Sequence, residues 1–389
     1  MPTASADVAD IFINNEPAGW KSSSLPRQHA LLSATIQAMA DSRLTVIFGL
    51  PRTDKVCRDR IHLVRHYSNW NDFVRAIYLS EGLVEFRPNY IPGVQRSDLI
   101  AVQVLKAGIC ETDLQLKQGY MDFAGVLGHE FVGIATSGRF SGQRVVGEIN
   151  CFCGSCDFCD RSLPRHCTQR SVIGILNHDG AFADTVFVPE GNLHVVPQHV
   201  TSEQAVFTEP VAAACRILEQ VQISSRSRVL VLGDGRLGNL CAQVLKTTEC
   251  ELLVVGKHDW KLNQLQRLGI RTCQLTELVP AVDYDFVVDC TGSPSGFEAA
   301  LQCVKSCGTI ILKTTVAAAQ PVHLAPVVIN EVNVLGSRCG PFAPALKMIA
   351  NGEVRVDAMV SAKYPLEDAV LAFEHAERPD ALKVLFEIS

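Results

Sequence analysis

From residue 75 onward the chain alternates short runs of β-branched and aromatic residues with turns that carry Gly or Pro. Such runs lie at 76–79, 100–107, 126–127, 144–146 and 187–188, and they predict an antiparallel, barrel-like domain of short strands. At Arg228 the texture changes. Compact apolar runs at 229–232, 252–255, 286–289 and 309–312 alternate with amphipathic stretches at 237–246 and 261–268. Strand–helix–strand alternation builds βαβ units, so this half predicts a parallel, doubly wound sheet. A helical pattern at 366–377 and a closing strand at 383–387 follow near the C-terminus. No internal repeat is evident.

Residues 1–74 share neither pattern. A stretch rich in Ser, Pro and Asn at 14–26 reads as loop, with a helix over 29–40 and a short strand over 44–50. Residues 43–75 carry seven Arg or Lys against three Asp, a locally basic segment. A partner-binding arm and a poorly ordered extension both fit that composition. The extension is favoured, because disorder concentrates at termini.

Composition narrows the class. A chain of 389 residues has room for two or three domains. With 47% hydrophobic and 20% charged residues it is an ordinary globular sequence. The net charge of -6 offers nothing to a polyanion, so no nucleic-acid partner is expected. No apolar run reaches the roughly 18 residues of a membrane span. The N-terminus lacks a basic stretch followed by an apolar core, and Asp7, Asp10 and Glu16 come too early for a transit peptide. Fifteen cysteines, an odd number with no secretory start, point to a reducing compartment, by default the cytoplasm. There thiols serve as metal ligands or core fillers.

Two motifs carry chemistry by their spacing. Cys153, Cys156, Cys159 and Cys167 follow C-x2-C-x2-C-x7-C in a loop-like stretch. Four thiolates so close suit a closed, tetrahedral and therefore structural zinc site. Cys151 lies outside that spacing. Gly233, Gly235 and Gly238 form G-x-G-x-x-G between a predicted strand and a helix, with Arg236 and Leu237 inside the turn. The first Gly allows a tight turn, the second a close approach to a pyrophosphate, the third helix–strand packing. The helix N-terminus then faces the phosphate charge. An NAD-binding unit usually ends its second strand in an acid that grips the ribose 2′-hydroxyl. Here that strand ends in Gly256, Lys257 and His258, so the acid is absent and two basic groups favour NADP. A displaced acid, Asp259, would still serve NAD. Cys110, His129, Glu130 and Glu209 are scattered, and spacing alone does not join them.

These motifs together resemble the zinc-containing medium-chain dehydrogenase/reductase superfamily, the family of alcohol, sorbitol and threonine dehydrogenases. The resemblance runs over residues 75–389 and rests on G-I-C-x-T-D at 108–113, G-H-E at 128–130, the four-cysteine lobe, E-P at 209–210 and the glycine turn. It implies a GroES-like, β-barrel-type catalytic domain over 75–210 and 342–389, and a Rossmann dinucleotide-binding domain over 211–341. It makes Cys110, His129 and Glu209 ligands of a catalytic zinc, with Glu130 near or exchanging. Asp113 then holds the ligand histidine by its other nitrogen, Thr112 receives the substrate proton, and Lys383 meets the cofactor phosphates. Many relatives carry a histidine where this chain has Gln115, so a proton relay would end differently. The implied activity is hydride transfer between an alcohol (polyol, amino-alcohol or secondary alcohol) and NAD or NADP, with two zinc ions per chain, in a homodimer or homotetramer. The alternatives are zinc-free quinone or enoyl reduction on the same fold, and a non-catalytic protein that binds zinc and nucleotide. A metal-binding catalytic set argues against the first, and the net charge together with that set against the second.

Overall fold

The computed structural model describes residues 73–93, 98–315 and 321–389. The helix and strand expected over 29–40 and 44–50 lie outside them. Among the described residues, ten strands precede Arg228. They are β1 (Val74–Ser80), β2 (Leu83–Tyr90), β3 (Leu99–Gly108), β4 (Gly125–Val126), β5 (Glu130–Ala135), β6 (Arg144–Gly147), β7 (Asn150–Cys151), β8 (Ser171–Val172), β9 (Thr185–Pro189) and β10 (Leu193–Val195). Six more, β11 (Arg228–Leu232), β12 (Glu251–Gly256), β13 (Arg271–Gln274), β14 (Tyr284–Asp289), β15 (Val304–Leu312) and β16 (Asn333–Gly336), alternate with helices. β17 (Val360–Tyr364) and β18 (Lys383–Glu387) close the described chain.

The last two strands do not join the parallel sheet. β18 returns to pair antiparallel with β3, giving a seven-stranded sheet ordered β10-β6-β5-β3-β18-β17, with β9 paired antiparallel to the first half of β3. A separate three-stranded sheet, β2-β1-β4, and the short β7-β8 pair complete the antiparallel part. Alternation explains the packing: along β3, Val102 and Val104 are fully buried while Gln103 between them is exposed. Residues of one parity therefore build the core. At its centre the Phe182 ring meets Phe386 at 4.9 Å and Phe373 at 6.2 Å, both edge-on. Truncating such a ring to Ala costs about 3–5 kcal/mol, so this cluster fixes β18 against the barrel.

The six central strands are all parallel and ordered β13-β12-β11-β14-β15-β16. Reading β11 as first, this is the 3-2-1-4-5-6 doubly wound order, which opens a crevice where the order reverses, beside the end of β11. Central strands are buried on both faces, so Val229, Leu230 and Val231 in β11 are all apolar and fully buried. Helix α1 (Glu111–Lys117) follows β3, α2 (Thr208–Gln220) precedes β11, α3 (Arg236–Lys246) follows it, and α4 (Asp259–Arg267) follows β12. Pattern and structure agree here to within a few residues, because each apolar run is bounded by a turn. Among the described residues no helix is long and apolar enough to cross a membrane.

Candidate active site

The four lobe cysteines come together. Sγ of Cys153 lies 4.0 Å from Cys159 and 3.5 Å from Cys167, and Cys156 lies 3.6 Å from Cys159. Four sulfurs each about 2.3 Å from a central zinc stand about 3.8 Å apart, so the spacing fits a tetrahedral ion. Backbone N–H groups of Cys159 and Thr168 bring the Cys156 thiol down to about 6, while burial and Cys156 push Cys159 up to about 11. Four thiolates cannot share this space without a cation. Cys151 pairs its strand with β8 and does not belong to the group.

A second group forms below the end of β3. Cys110 is the residue before α1, His129 precedes β5, and Glu130 opens β5. One ligand atom from each of these three lies within 4.8 Å of the others. Asp113 links two of them. Its Oδ2 accepts the Cys110 backbone N–H at 2.8 Å, and its Oδ1 stands 3.4 Å from His129 Nδ1. That leaves Nε2 of His129 for the metal side. Thr112 Oγ1 lies 3.8 Å from Cys110 Sγ. Glu130 Oε1 is buried and has no hydrogen-bond partner. A bare buried carboxylate oxygen is costly, and a metal ion would satisfy it. Burial opposes a proton on His129, yet the charges of Asp113 and Cys110 hold it well above its usual range. The pocket is built to attract positive charge.

The carboxylates divide otherwise than expected. The family resemblance implies Glu209 among the ligands, with Glu130 near or exchanging. The structure groups Glu130 with Cys110 and His129, and Glu209 falls outside that group though buried near it. Burial pushes Glu209 up to about 7, against the pull of His129, so near pH 7 it is only partly ionised and a nearby cation would favour its charged form. Lys383 also differs from expectation. It is buried, and its amine is spent on Glu130 Oε2 and on the Ile109 carbonyl at 3.2 Å. In this arrangement it steadies Glu130, and no free amine is left for a phosphate. Lys313, which the pattern reading missed, donates from Nζ to the Ala213 carbonyl of α2 at 2.5 Å and to Ser337 Oγ at 3.2 Å. It ties the helix that carries Glu209 to the end of the parallel sheet.

The glycine turn sits at the crevice. A Cβ on Gly238 would stand 2.0 Å from the Gly233 carbonyl oxygen, so only glycine lets α3 approach β11. A Cβ on Gly235 would meet nothing within 4 Å, which leaves open the side a pyrophosphate would take. Arg236 reaches away from the turn and bridges to Glu111 Oε2 of α1 at 2.6 Å. At the end of β12 the strand itself offers no acid, but a carboxylate from another segment stands there. It is Asp234, from the glycine turn, whose Oδ2 accepts the N–H groups of Lys257 and His258 at 2.7 Å each. Lys257 is exposed and the His258 ring turns onto Asp234.

Residues 96–198 match the family model described as "Alcohol dehydrogenase GroES-like domain", and 237–351 match "Zinc-binding dehydrogenase". The chain belongs to the zinc-containing medium-chain dehydrogenase/reductase superfamily. It is similar to a 2-dehydro-3-deoxy-L-galactonate 5-dehydrogenase of Pseudoalteromonas atlantica, 27% identical, covering 74% of this chain and 91% of that protein. A sorbitol dehydrogenase of Halalkalibacterium halodurans is 25% identical over 78% of this chain and 94% of its own. Among solved structures, a zinc-binding dehydrogenase of Sinorhizobium meliloti bound to NADP superposes with a TM-score of 0.74 at 25% identity, covering 81% of this chain and 99% of that one. The superfamily's GroES-like and Rossmann parts account for the two kinds of sheet, and the chain is an NAD(P)-dependent oxidoreductase that moves hydride between an alcohol and its carbonyl.

Proposed function

We propose that the chain oxidises a secondary hydroxyl of a polyol or sugar-acid type compound, or reduces the matching ketone, with two zinc ions per chain. The observation that carries this reading is the buried Cys110, His129 and Glu130 group with an orphaned carboxylate oxygen, set beside a glycine turn that is open to a dinucleotide. The sugar-acid and sorbitol dehydrogenases to which it is similar supply the substrate class. The metal group is assigned to the GroES-like part, 75–210 and 342–389, and the dinucleotide to 211–341.

Cys110, His129 and a carboxylate from Glu130 or Glu209 would hold the catalytic ion. Three protein ligands leave a fourth position open, which a catalytic site needs. An ion held by these residues would supply Lewis acidity to the substrate oxygen, favouring loss of its proton at neutral pH. Thr112 would take that proton, a role supported by its hydroxyl standing beside Cys110 on the first turn of α1. Beyond it Gln115 donates to Glu111 Oε1 at 3.3 Å, so the path outward runs along α1 without a histidine. Asp113 fixes the histidine tautomer, and Lys383 holds Glu130 in register. The closed four-cysteine site pins a lobe with little core of its own. The glycine turn and the α3 N-terminus would orient the nicotinamide carrier so that hydride crosses a short, fixed gap.

The test is a screen of purified protein against polyols, sugar acids and secondary alcohols, with NAD and NADP, before and after chelation and zinc return. Zinc-dependent formation of reduced nicotinamide with one hydroxyl class is expected. Turnover that survives complete zinc removal would sink the metal assignment, and no turnover on any member would sink the reaction.

A further inference from the structure

NAD-binding units usually place an acid at the end of their second strand, where it takes the ribose 2′-hydroxyl. In this chain that position is Gly256, the last residue of β12. It has no side chain for a steric reason. A Cβ at Gly256 would lie 2.4 Å from Asp234 Oδ2 and 2.6 Å from its Cγ. The carboxylate of Asp234 thus fills the space in which a strand-end acid would begin. The two arrangements exclude each other: an acid from the strand or an acid from the glycine turn.

Asp234 is firmly set. Its side chain is buried, Oδ2 accepts two backbone N–H groups from Lys257 and His258, and the His258 ring nitrogen stands 3.1 Å from both oxygens. A carboxylate offers about four acceptor lobes. Two backbone donors and one ring donor leave one to spare. A ribose hydroxyl can donate to it, whereas a 2′-phosphate brings negative charge and no proton to give.

We propose that Asp234 is the residue that selects the adenosine ribose, standing in for the missing strand-end acid and making NAD the preferred cofactor. This rests on the reading that a nicotinamide dinucleotide binds at the Gly233–Gly238 turn. The cations that would favour a 2′-phosphate are largely committed. The His258 ring is directed onto Asp234, and the Arg236 guanidinium bridges to Glu111. Lys261 is buried with its amine within range of the Asp234 charge, and only Lys257 stands exposed. Removing the carboxylate charge, not the lysine charge, is what changes the preference.

The experiment is direct binding of NADH and NADPH to the zinc-loaded full chain, read by nicotinamide fluorescence and independent of any substrate. The wild type binds NADH more tightly. Asp234→Asn keeps an oxygen for the two backbone donors but loses the charge, and it shifts the NADPH-to-NADH ratio of Kd values toward NADPH by about tenfold or more. Lys257→Ala shifts that ratio far less. The double variant Asp234→Gly with Gly256→Asp returns the acid to the strand and restores the preference for NADH. Tighter NADPH binding by the wild type, or a ratio that Asp234→Asn leaves unchanged, overturns the proposal. So does a double variant that melts like the wild type and does not regain the NADH preference. Failure of the wild type to bind either dinucleotide is a different result, which removes the functional reading and this selector with it.

Discussion

The two metal groups are opposite solutions to one problem. The four cysteines lie within one loop of fifteen residues and stay exposed or half-buried, except for Cys167. Cys110, His129 and Glu130 come from different strand and helix ends, and the last two are buried. The lobe's four thiols lie close together within one short segment, and a bound cation would offset the charge of four thiolates so placed. The buried group is shaped by the barrel around it: Asp113 braces Cys110 and His129, Lys383 braces Glu130, and the Phe182–Phe386 contact fixes the strand that carries Lys383. The lesson is that one ligand set is local in the sequence and the other is assembled by the fold.

The sharpest way to break this contrast is Cys110→Ser. A hydroxyl is a far weaker zinc ligand than a thiolate, so turnover falls to background. The barrel does not depend on that bond, and the melting temperature and circular dichroism stay close to wild type. Residual zinc-dependent turnover would remove Cys110 from the catalytic site. A collapse of the fold would show that both ions, not one, are structural.

Cys156→Ser probes the other side. Losing one of four ligands opens a closed site, and structural zinc contributes directly to folding free energy. Zinc content should fall from two to one per chain, with a lower melting temperature and poorer yield. The destabilisation is of the order of a few kcal/mol, the size of losing a metal anchor. Activity per folded, catalytic-zinc-loaded molecule should change little. Unchanged melting and an unchanged two zincs per chain would refute the structural role.

The same contrast explains what could be read in the sequence. The four cysteines are legible because their geometry is local, and a spacing of two, two and seven residues already implies a ring of thiols. The parallel sheet is legible because each apolar run is short and bounded. The buried group is not, because Cys110 and Glu130 belong to separate elements and only the pairing of β3 with β5 brings Gly108 opposite Glu130. Family resemblance names those residues and leaves the third ligand between Glu209 and Glu130, of which the structure groups Glu130 with Cys110 and His129. The partner of Lys383 and the role of Asp234 are illegible in the sequence for a related reason. A pattern shows that a residue is basic or acidic, but only the fold shows that Lys383 spends its charge on Glu130 and that Asp234 reaches the end of a neighbouring strand.

Asp113→Asn gives the smallest effect and the finest test. The side chain is fully buried, and its two oxygens have different duties. One accepts the Cys110 N–H at 2.8 Å, and the other faces His129 Nδ1 at 3.4 Å. Asparagine can keep one of these contacts but brings an amide N–H to the other and loses the charge. If it keeps the Cys110 contact, the histidine faces a donor and its ring is no longer held with Nδ1 protonated. Loss of such a supporting partner typically costs about 10–100-fold in metal affinity or activity. Zinc affinity, measured by competition with a chelator, and kcat should fall together within that range. The four-cysteine zinc should remain bound, because Asp113 touches nothing in the lobe. A loss confined to melting temperature, with zinc affinity and kcat intact, would reduce Asp113 to a packing residue at the start of α1.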